Sequence, residues 1–243
     1  MTGSTLNSVK SSVMSYDTVS PLDENTRRYY LDAMGVQCWQ LRDTSETLVA
    51  QENNNLSWSQ LESDIQSCTH CQLHQSRKQP ICGRGNTNAD LFFILLAPTQ
   101  SDDESGKLCD AEANALFSKM LSAIEISIDD VYITSLLKCS VPAVHTVSPK
   151  EIQSCNTYLQ QQLQLIQPRL VIVLGETTNQ CLFQKTLSLD DFRAMNIDSP
   201  QQINAIPLFT SYSPEELLQH PENKRDAWLD LQQIKKMLGS NKT

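Results

Sequence analysis

Residues 91–96 read Leu91-Phe92-Phe93-Ile94-Leu95-Leu96, a continuous apolar run that decides the fold class of this chain. A strand that is buried on both faces, as in a parallel sheet, is apolar at every position rather than at alternate ones. Further strand-like runs are found at 131–136, 170–175 and 206–209. Helical patterns are found at 111–125, 148–166 and 221–238. This alternation predicts an α/β fold, a three-layer α/β/α sandwich around a mainly parallel four-stranded sheet.

The N-terminal part of the chain has a different character. Residues 1–25 are polar and lack periodicity, which predicts a largely disordered arm, and residues 43–60 have the composition of a linker. Between them, the segment 26–42 contains an isolated apolar motif around Trp39. This motif is either packed on the main domain, as a strand or a helix, or it docks on a partner protein. The predicted organisation is therefore tail, docking segment, linker and an α/β domain at 61–239.

Composition and charge limit the function classes. The 243-residue chain has 19 Lys and Arg against 28 Asp and Glu, a net charge of −9, and it contains no basic run. Proteins that bind duplex DNA neutralise phosphates with clustered Lys and Arg, so weak or no direct DNA binding is expected. We find no secretory signal, and no apolar run approaches the roughly 18–20 residues that a membrane span needs. A cytoplasmic protein is predicted.

Four of the eight cysteines form two pairs that are candidate metal ligands. Cys68 and Cys71 lie in the sequence Cys-Thr-His-Cys, and Cys139 and Cys155 are spaced as Cys-x15-Cys. Thiolates two residues apart can bind one metal centre, and a second pair can supply the remaining ligands. In a cytoplasmic setting disulfides are not expected, so either metal binding or simple burial must explain these residues.

Neighbouring side chains leave alternatives open. His70 and His74 flank Cys71 and could ligate zinc, while Cys82 could replace one of the four ligands. The long separation between the two pairs is more typical of an iron–sulfur site than of a zinc finger.

Residues 68–238 resemble the iron–sulfur uracil-DNA glycosylases of the thermophile type. The resemblance rests on short matches in the same order along the chain: Cys68-x2-Cys71-x-Leu73, Arg77, Gly83-x-Gly85, Ala97-Pro98, Asp103, Gly106, Tyr132-Ile133-Thr134, Lys138-Cys139, Pro149, Glu151-Ile152, Cys155, Leu174-Gly175 and Lys224-Arg225-x2-Trp228. It implies a uracil-DNA glycosylase-like domain in which Cys68, Cys71, Cys139 and Cys155 bind a [4Fe-4S] cluster.

Three catalytic positions of that family carry different residues in this chain. Leu96 stands where the family has an acidic residue, and Ser135 stands where an asparagine pairs with the edge of uracil. Ser213 stands where a histidine stabilises charge on the departing base. A serine offers no amide donor–acceptor pair and no cationic imidazole. The resemblance therefore predicts a domain with degenerate catalytic positions.

The N-terminal motif Leu31-x2-Met34-Gly35-Val36-x2-Trp39-x-Leu41-Arg42 resembles the opening of the psi subunits of bacterial DNA polymerase III. In that family an N-terminal peptide docks on the collar of the tau/gamma clamp-loader subunits. A degenerate glycosylase-like domain binds the chi subunit, which contacts single-stranded-DNA-binding protein. The resemblance implies a set of partner-binding residues, namely Leu31, Met34, Val36, Trp39, Leu41 and Arg42.

Two functions follow from these resemblances. The first is a non-catalytic, psi-like accessory subunit of the clamp-loader complex in DNA replication, which is not an enzyme. The alternative is an iron–sulfur, uracil-DNA glycosylase-like enzyme of base-excision repair with altered specificity. The motif around Trp39 favours the first, because a glycosylase does not need it.

Overall fold

A computed structural model describes residues 57–198 and 201–240, together with Thr26 and Met34. The contacts of the chain divide it into two units, residues 1–52 and 53–243, and the elements described below belong to the second.

The predicted tail at 1–25 and the docking segment at 26–42 lie outside the described residues, apart from Thr26 and Met34. Most of the predicted linker also lies outside them. The proposed boundaries of these segments, and a partner-binding role for the motif around Trp39, stay predictions.

Helices and strands alternate along the described chain, as the sequence predicts. The helices are α1 (Trp58–Gln66), α2 (Gln100–Ser105), α3 (Ala111–Ala123), α4 (Pro149–Ile166), α5 (Glu176–Phe183), α6 (Leu189–Asp198), α7 (Pro214–Gln219) and α8 (Lys224–Ser240). The strands are β1 (Arg84–Gly85), β2 (Leu91–Leu95), β3 (Tyr132–Ser135), β4 (Leu170–Leu174), β5 (Gln201–Ile203) and β6 (Ile206–Ser211). Among these described helices, none combines the length and apolar character that crossing a bilayer requires.

Within the described ranges the strands form one sheet in the order β1-β3-β2-β4-β6-β5. The four central strands pair in parallel, which confirms the predicted parallel sheet. The edge strands β1 and β5 pair antiparallel with β3 and β6 and were not predicted. With two and three residues, they are too short to show an alternating pattern.

The sheet is covered on both faces, which confirms the three layers. Phe92 and Ile94 of β2 point to the face on which α4 and α5 pack. Phe93 and Leu95 point to the opposite face, where α3 and α8 pack. Since successive side chains of a strand point to opposite faces, a strand between two helical layers must be apolar throughout.

The start of α4 is fixed by a reciprocal pair of hydrogen bonds. The Ser148 hydroxyl accepts from the Glu151 backbone N–H, and the Glu151 carboxylate accepts from the Ser148 N–H over 2.8 Å. Pro149 occupies the first turn, where a missing N–H costs no hydrogen bond. This cap holds the first turns of α4, and with them Cys155, at a defined place beside the sheet.

Gly85 has a conformation that only glycine adopts without strain. Its φ is +115°, and a Cβ built on it would lie 2.0 Å from the carbonyl oxygen of Val131. We expect Gly85→Ala to lower the free energy of unfolding by about 2–4 kcal/mol, since backbone strain and a steric clash add together. Urea denaturation followed by circular dichroism measures the change. Gly239→Ala is the control, because no atom lies within 4 Å of its added Cβ; equal midpoints for both variants would contradict the prediction.

Candidate functional site

The carboxyl ends of the parallel strands meet at one edge of the sheet. β2 lies at the centre and pairs with β3 on one side and with β4 on the other. The chain passes from β2 to β3 and then crosses to β4 and β6, so the connections change direction between β2 and β4. In open α/β sheets, ligands bind in the crevice outside the carboxyl ends at such a switch point.

The structure brings the three positions that the resemblance predicts to be degenerate catalytic positions to this edge. Leu96 follows β2 and is half-buried, Ser135 ends β3, and Ser213 caps α7 just after β6. The Ser135 hydroxyl donates to the Leu137 carbonyl over 2.7 Å. The Ser213 hydroxyl accepts from the Glu216 N–H over 3.1 Å. Both hydroxyls are thus engaged with the backbone of the protein itself.

Asp102 is buried at the same edge and has a structural role. Its carboxylate accepts from the Thr99 N–H over 2.9 Å, which completes the capping box of α2. It also accepts from the Asp110 N–H over 2.8 Å. A carboxylate that is held by two backbone donors fixes the loop between α2 and α3 and has little freedom to act on a ligand.

The adjacent Asp103 anchors a second loop. Its carboxylate accepts from the backbone N–H groups of Lys78 and Gln79 at 2.9 and 3.1 Å, and from the Ser140 hydroxyl at 3.0 Å. Ser140 directly follows Cys139, and Lys78 and Gln79 follow the first cysteine pair. Asp103 therefore connects the two segments that carry the four candidate ligands.

We expect Asp103→Asn to destabilise the protein by about 2–4 kcal/mol. The asparagine amide keeps the shape of the carboxylate but loses its charge-assisted hydrogen bonds, each worth about 1.5–3 kcal/mol. Its NH2 group would also face the N–H and O–H groups that donate to Asp103, where an acceptor is needed. Thermal and urea unfolding measure the loss. Asp129→Asn, at an exposed position, is the matched control; similar stability of the two variants would show that the three contacts of Asp103 contribute little.

Sequence reasoning missed one carboxyl group at this edge, that of Glu215. It is half-buried in the first turn of α7, beside Ser213. Burial raises the pKa of Glu215, and the neighbouring carboxylates of Asp102 and Glu216 raise it further. Burial raises the pKa of the Cys109 thiol, and the charge of Glu215 raises it further. Glu215 lies shortly after the end of β6, and a carboxyl whose pKa is raised in this way is a candidate proton donor.

The four candidate cluster ligands come from separate elements, and Cys68 packs against a different apolar cluster from the other three. Cys68 follows α1, and Cys71 precedes a 3-10 turn. Cys139 follows β3, and Cys155 lies in α4. Cys139 and Cys155 are buried in one small apolar cluster, against which Cys71 packs.

The thiols influence one another electrostatically, as groups that share a site do. Burial raises the pKa of Cys139 to about 11, and charge on Cys155 and Cys71 acts in the same direction. Burial also raises the pKa of Cys155, with smaller contributions from Cys71 and Cys68. Several buried thiolates repel one another, so deprotonating this set requires positive charge such as bound iron supplies.

By its chemistry, the donor set suits the four-iron cluster that the resemblance implies. In the described ranges, no three His, Cys, Asp or Glu side chains are close enough together to hold one metal ion. Four cysteines in a mostly apolar setting are the ligands that such a cluster takes.

The alternative ligands of the sequence analysis are engaged elsewhere. The Cys82 sulfur accepts from the Gln162 amide over 3.2 Å, and Lys138 and Glu62 are the charges that act on it. The His74 ring nitrogen Nδ1 lies 2.5 Å from the carbonyl oxygen of Cys71. The His70 ring stacks on Tyr158. These contacts favour the predicted set of four cysteines.

Comparison with known proteins gives consistent results. Residues 82–232 match the model of the uracil DNA glycosylase superfamily. The type-4 uracil-DNA glycosylase of Saccharolobus solfataricus is 30% identical over 186 residues, which cover 73% of this chain and 84% of the relative. That of Archaeoglobus fulgidus is 27% identical over 180 residues, covering 72% and 90%. That of Thermotoga maritima is 29% identical over 161 residues, covering 66% and 82%.

These similarities overturn the prediction of a psi-like accessory subunit, because the relatives are named as enzymes that act on DNA. The non-enzymatic role and the tau/gamma and chi partners are wrong predictions of the same hypothesis, and the weak or absent DNA binding expected from net charge is wrong as well. The motif at 31–42 that carried it lies outside the matched range. The resemblance of residues 68–238 to the glycosylases is confirmed.

Proposed function

The chain belongs to the uracil DNA glycosylase superfamily, and from this premise we propose that it is an iron–sulfur DNA glycosylase of base-excision repair with altered specificity. The observation that carries the proposal is the half-buried Glu215 carboxyl, placed at the carboxyl edge of the sheet near the switch point. A group with a perturbed pKa at such an edge is a candidate catalytic acid.

The reaction breaks the bond between C1′ of a deoxyribose and a nitrogen of its base. The bonding electron pair leaves with the base, the oxygen of water adds to C1′, and a proton neutralises the departing base. The protonated Glu215 carboxyl can supply that proton, and the proton lost by water restores it. Burial, with smaller contributions from Asp102 and Glu216, raises the pKa of Glu215, so it keeps this proton to higher pH than an exposed glutamic acid would.

The altered residues at the strand ends support a change of specificity. Enzymes of this kind take the base out of the stack and read its edge in a tight pocket. Ser135, with its hydroxyl committed to the Leu137 carbonyl, offers no amide to such an edge. Leu96 offers only an apolar side chain. The base that fits is therefore expected to differ from uracil in the groups that it presents.

The four cysteines, Cys68, Cys71, Cys139 and Cys155, would hold the cluster. Its binding would cross-link residues 68–71 to residues 139–155, and the free energy of binding would offset the entropy lost in closing the loop between them. Around it, Asp103 ties the same two segments together through its hydrogen bonds to Lys78, Gln79 and Ser140.

The proposed activity can be tested with DNA that contains one modified base. Oligonucleotides with uracil, hypoxanthine, xanthine or 5-hydroxymethyluracil, single-stranded and double-stranded, are incubated with anaerobically purified protein. Alkali then cleaves any abasic site. We expect strand scission for at least one lesion, with uracil not the preferred base. Absence of abasic sites from every lesion would refute the glycosylase proposal, and a preference for uracil would refute the altered specificity alone.

A further inference from the structure

Arg77 makes two hydrogen bonds that join both pairs of candidate cluster ligands. Its Nη1 donates to the sulfur of Cys139 over 2.8 Å, and its Nη2 donates to the carbonyl oxygen of Cys68 over 2.7 Å. Cys68 belongs to the first cysteine pair and Cys139 to the second. One half-buried guanidinium thus spans two segments that are far apart in sequence.

The chemistry of the guanidinium suits this place. It remains charged at any relevant pH and presents its N–H groups in a rigid plane, so two acceptors can be bound at once. A positively charged donor next to a sulfur stabilises negative charge on that sulfur. A lysine would keep the charge but has a single nitrogen.

The other buried cation near these cysteines has different partners. Lys138 directs its ammonium at the Thr134 hydroxyl, the Ser135 carbonyl and the Gln162 amide oxygen, at 2.6–2.8 Å. In the part of the chain that the structure describes, Arg77 is the cationic side chain with a hydrogen bond to a candidate ligand sulfur. The charge-assisted contact to sulfur is therefore specific to Arg77.

We propose that Arg77 positions the cluster ligands and, through its bond to Cys139, sets the reduction potential of the iron–sulfur cluster. Hydrogen bonds and positive charge at a ligand sulfur stabilise the reduced, more negative form of a cluster, which raises its potential. The inference rests on the cluster of the proposed function but not on base excision. It makes Arg77 a positioning residue rather than a catalytic one.

The test compares Arg77→Gln and Arg77→Lys with the unaltered chain, all purified anaerobically with the cluster bound. Film voltammetry measures the potential at which one electron from the electrode enters the cluster. Loss of the visible absorption band under an iron chelator measures how firmly the cluster is held. Arg169→Gln is the matched control, since Arg169 pairs with Asp90 and the Leu238 carbonyl at the surface.

We expect Arg77→Gln to shift the potential to more negative values and to speed cluster loss by roughly 10–100-fold, the usual range for groups that support metal ligands. The reduction potential of Arg77→Lys should lie between those of Arg77→Gln and the unaltered chain, because lysine keeps the charge. This variant should still lose its cluster faster than the unaltered chain. The control should match the unaltered chain in both measurements. If Arg77→Gln does not fold, the potential of Arg77→Lys decides the question.

Unchanged potential and unchanged cluster loss in the Arg77 variants would overturn the inference, as would an unaltered chain that binds no iron. The result is separable from the proposed function. If the Arg77 variants excise bases but keep the potential and the rate of cluster loss of the unaltered chain, only this inference fails. If the Arg77 variants change in both measurements but the unaltered chain excises no base, only the glycosylase proposal fails.

Discussion

Glu215→Gln is expected to slow base excision by about 10²–10⁴-fold, the usual contribution of a positioned general acid. Glutamine keeps the size and the hydrogen-bonding capacity of the side chain but has no proton to give. Single-turnover excision of the preferred lesion measures the effect. Glu222→Gln, an exposed change in the following turn, is the control, and equal rates for the two variants would remove Glu215 from the mechanism.

The pH dependence of the reaction gives a second readout of Glu215. Its pKa lies above the ordinary value of 4.5 because of burial, aided by Asp102 and Glu216. Since the protonated form acts, the rate should be full below this raised pKa and should fall as the pH rises through it. Glu215→Gln should abolish that part of the profile. The folded protein also binds this proton more tightly than the unfolded chain, so ionisation above the raised pKa destabilises the fold.

Cys139→Ala is expected to bleach the protein and to cause aggregation. The buried sulfur is one of four proposed iron ligands, and binding of a structural metal centre is coupled to folding. Iron analysis, visible absorption and size-exclusion chromatography measure the outcome. Cys181→Ala is the matched control, because Cys181 packs with the apolar face of the sheet and is outside the proposed ligand set. A monomeric, iron-containing Cys139→Ala protein would remove Cys139 from that set.

The fold could be predicted because its determinants are local. A run such as Leu91–Leu95 is apolar throughout, and this pattern follows directly from burial between two helical layers. The edge strands β1 and β5 could not be predicted, because pairing with β3 and β6 rather than their own residues determines them.

The site could be predicted only in part. The positions Leu96, Ser135 and Ser213 follow from the order of motifs, and the structure places them at one edge. Glu215 was missed because its raised pKa arises from burial and from Asp102, which is distant in sequence. Sequence shows the spacing of side chains along one strand or helix, but not which loops meet.

The prediction of a psi-like accessory subunit was wrong for a related reason. The short motif around Trp39 favours a psi-like subunit, whereas the much longer resemblance of 68–238 indicates the family to which the chain belongs. The expectation of weak DNA binding from net charge was wrong as well. The value of −9 is a sum over the whole chain and does not describe the local surface at one edge of the sheet.

The placement of the four cysteines has a consequence for how the protein matures in the cell. Cys68 and Cys71 precede β2, whereas Cys139 and Cys155 follow β3. At a synthesis rate of about 5–20 residues per second, Cys139 is added roughly 3–14 s after Cys71. During this interval the first pair exists on the ribosome without its partners, and its two thiols are open to oxidation. The proposed cluster would therefore be completed only after translation of α4, on a chain that has been kept reduced until then.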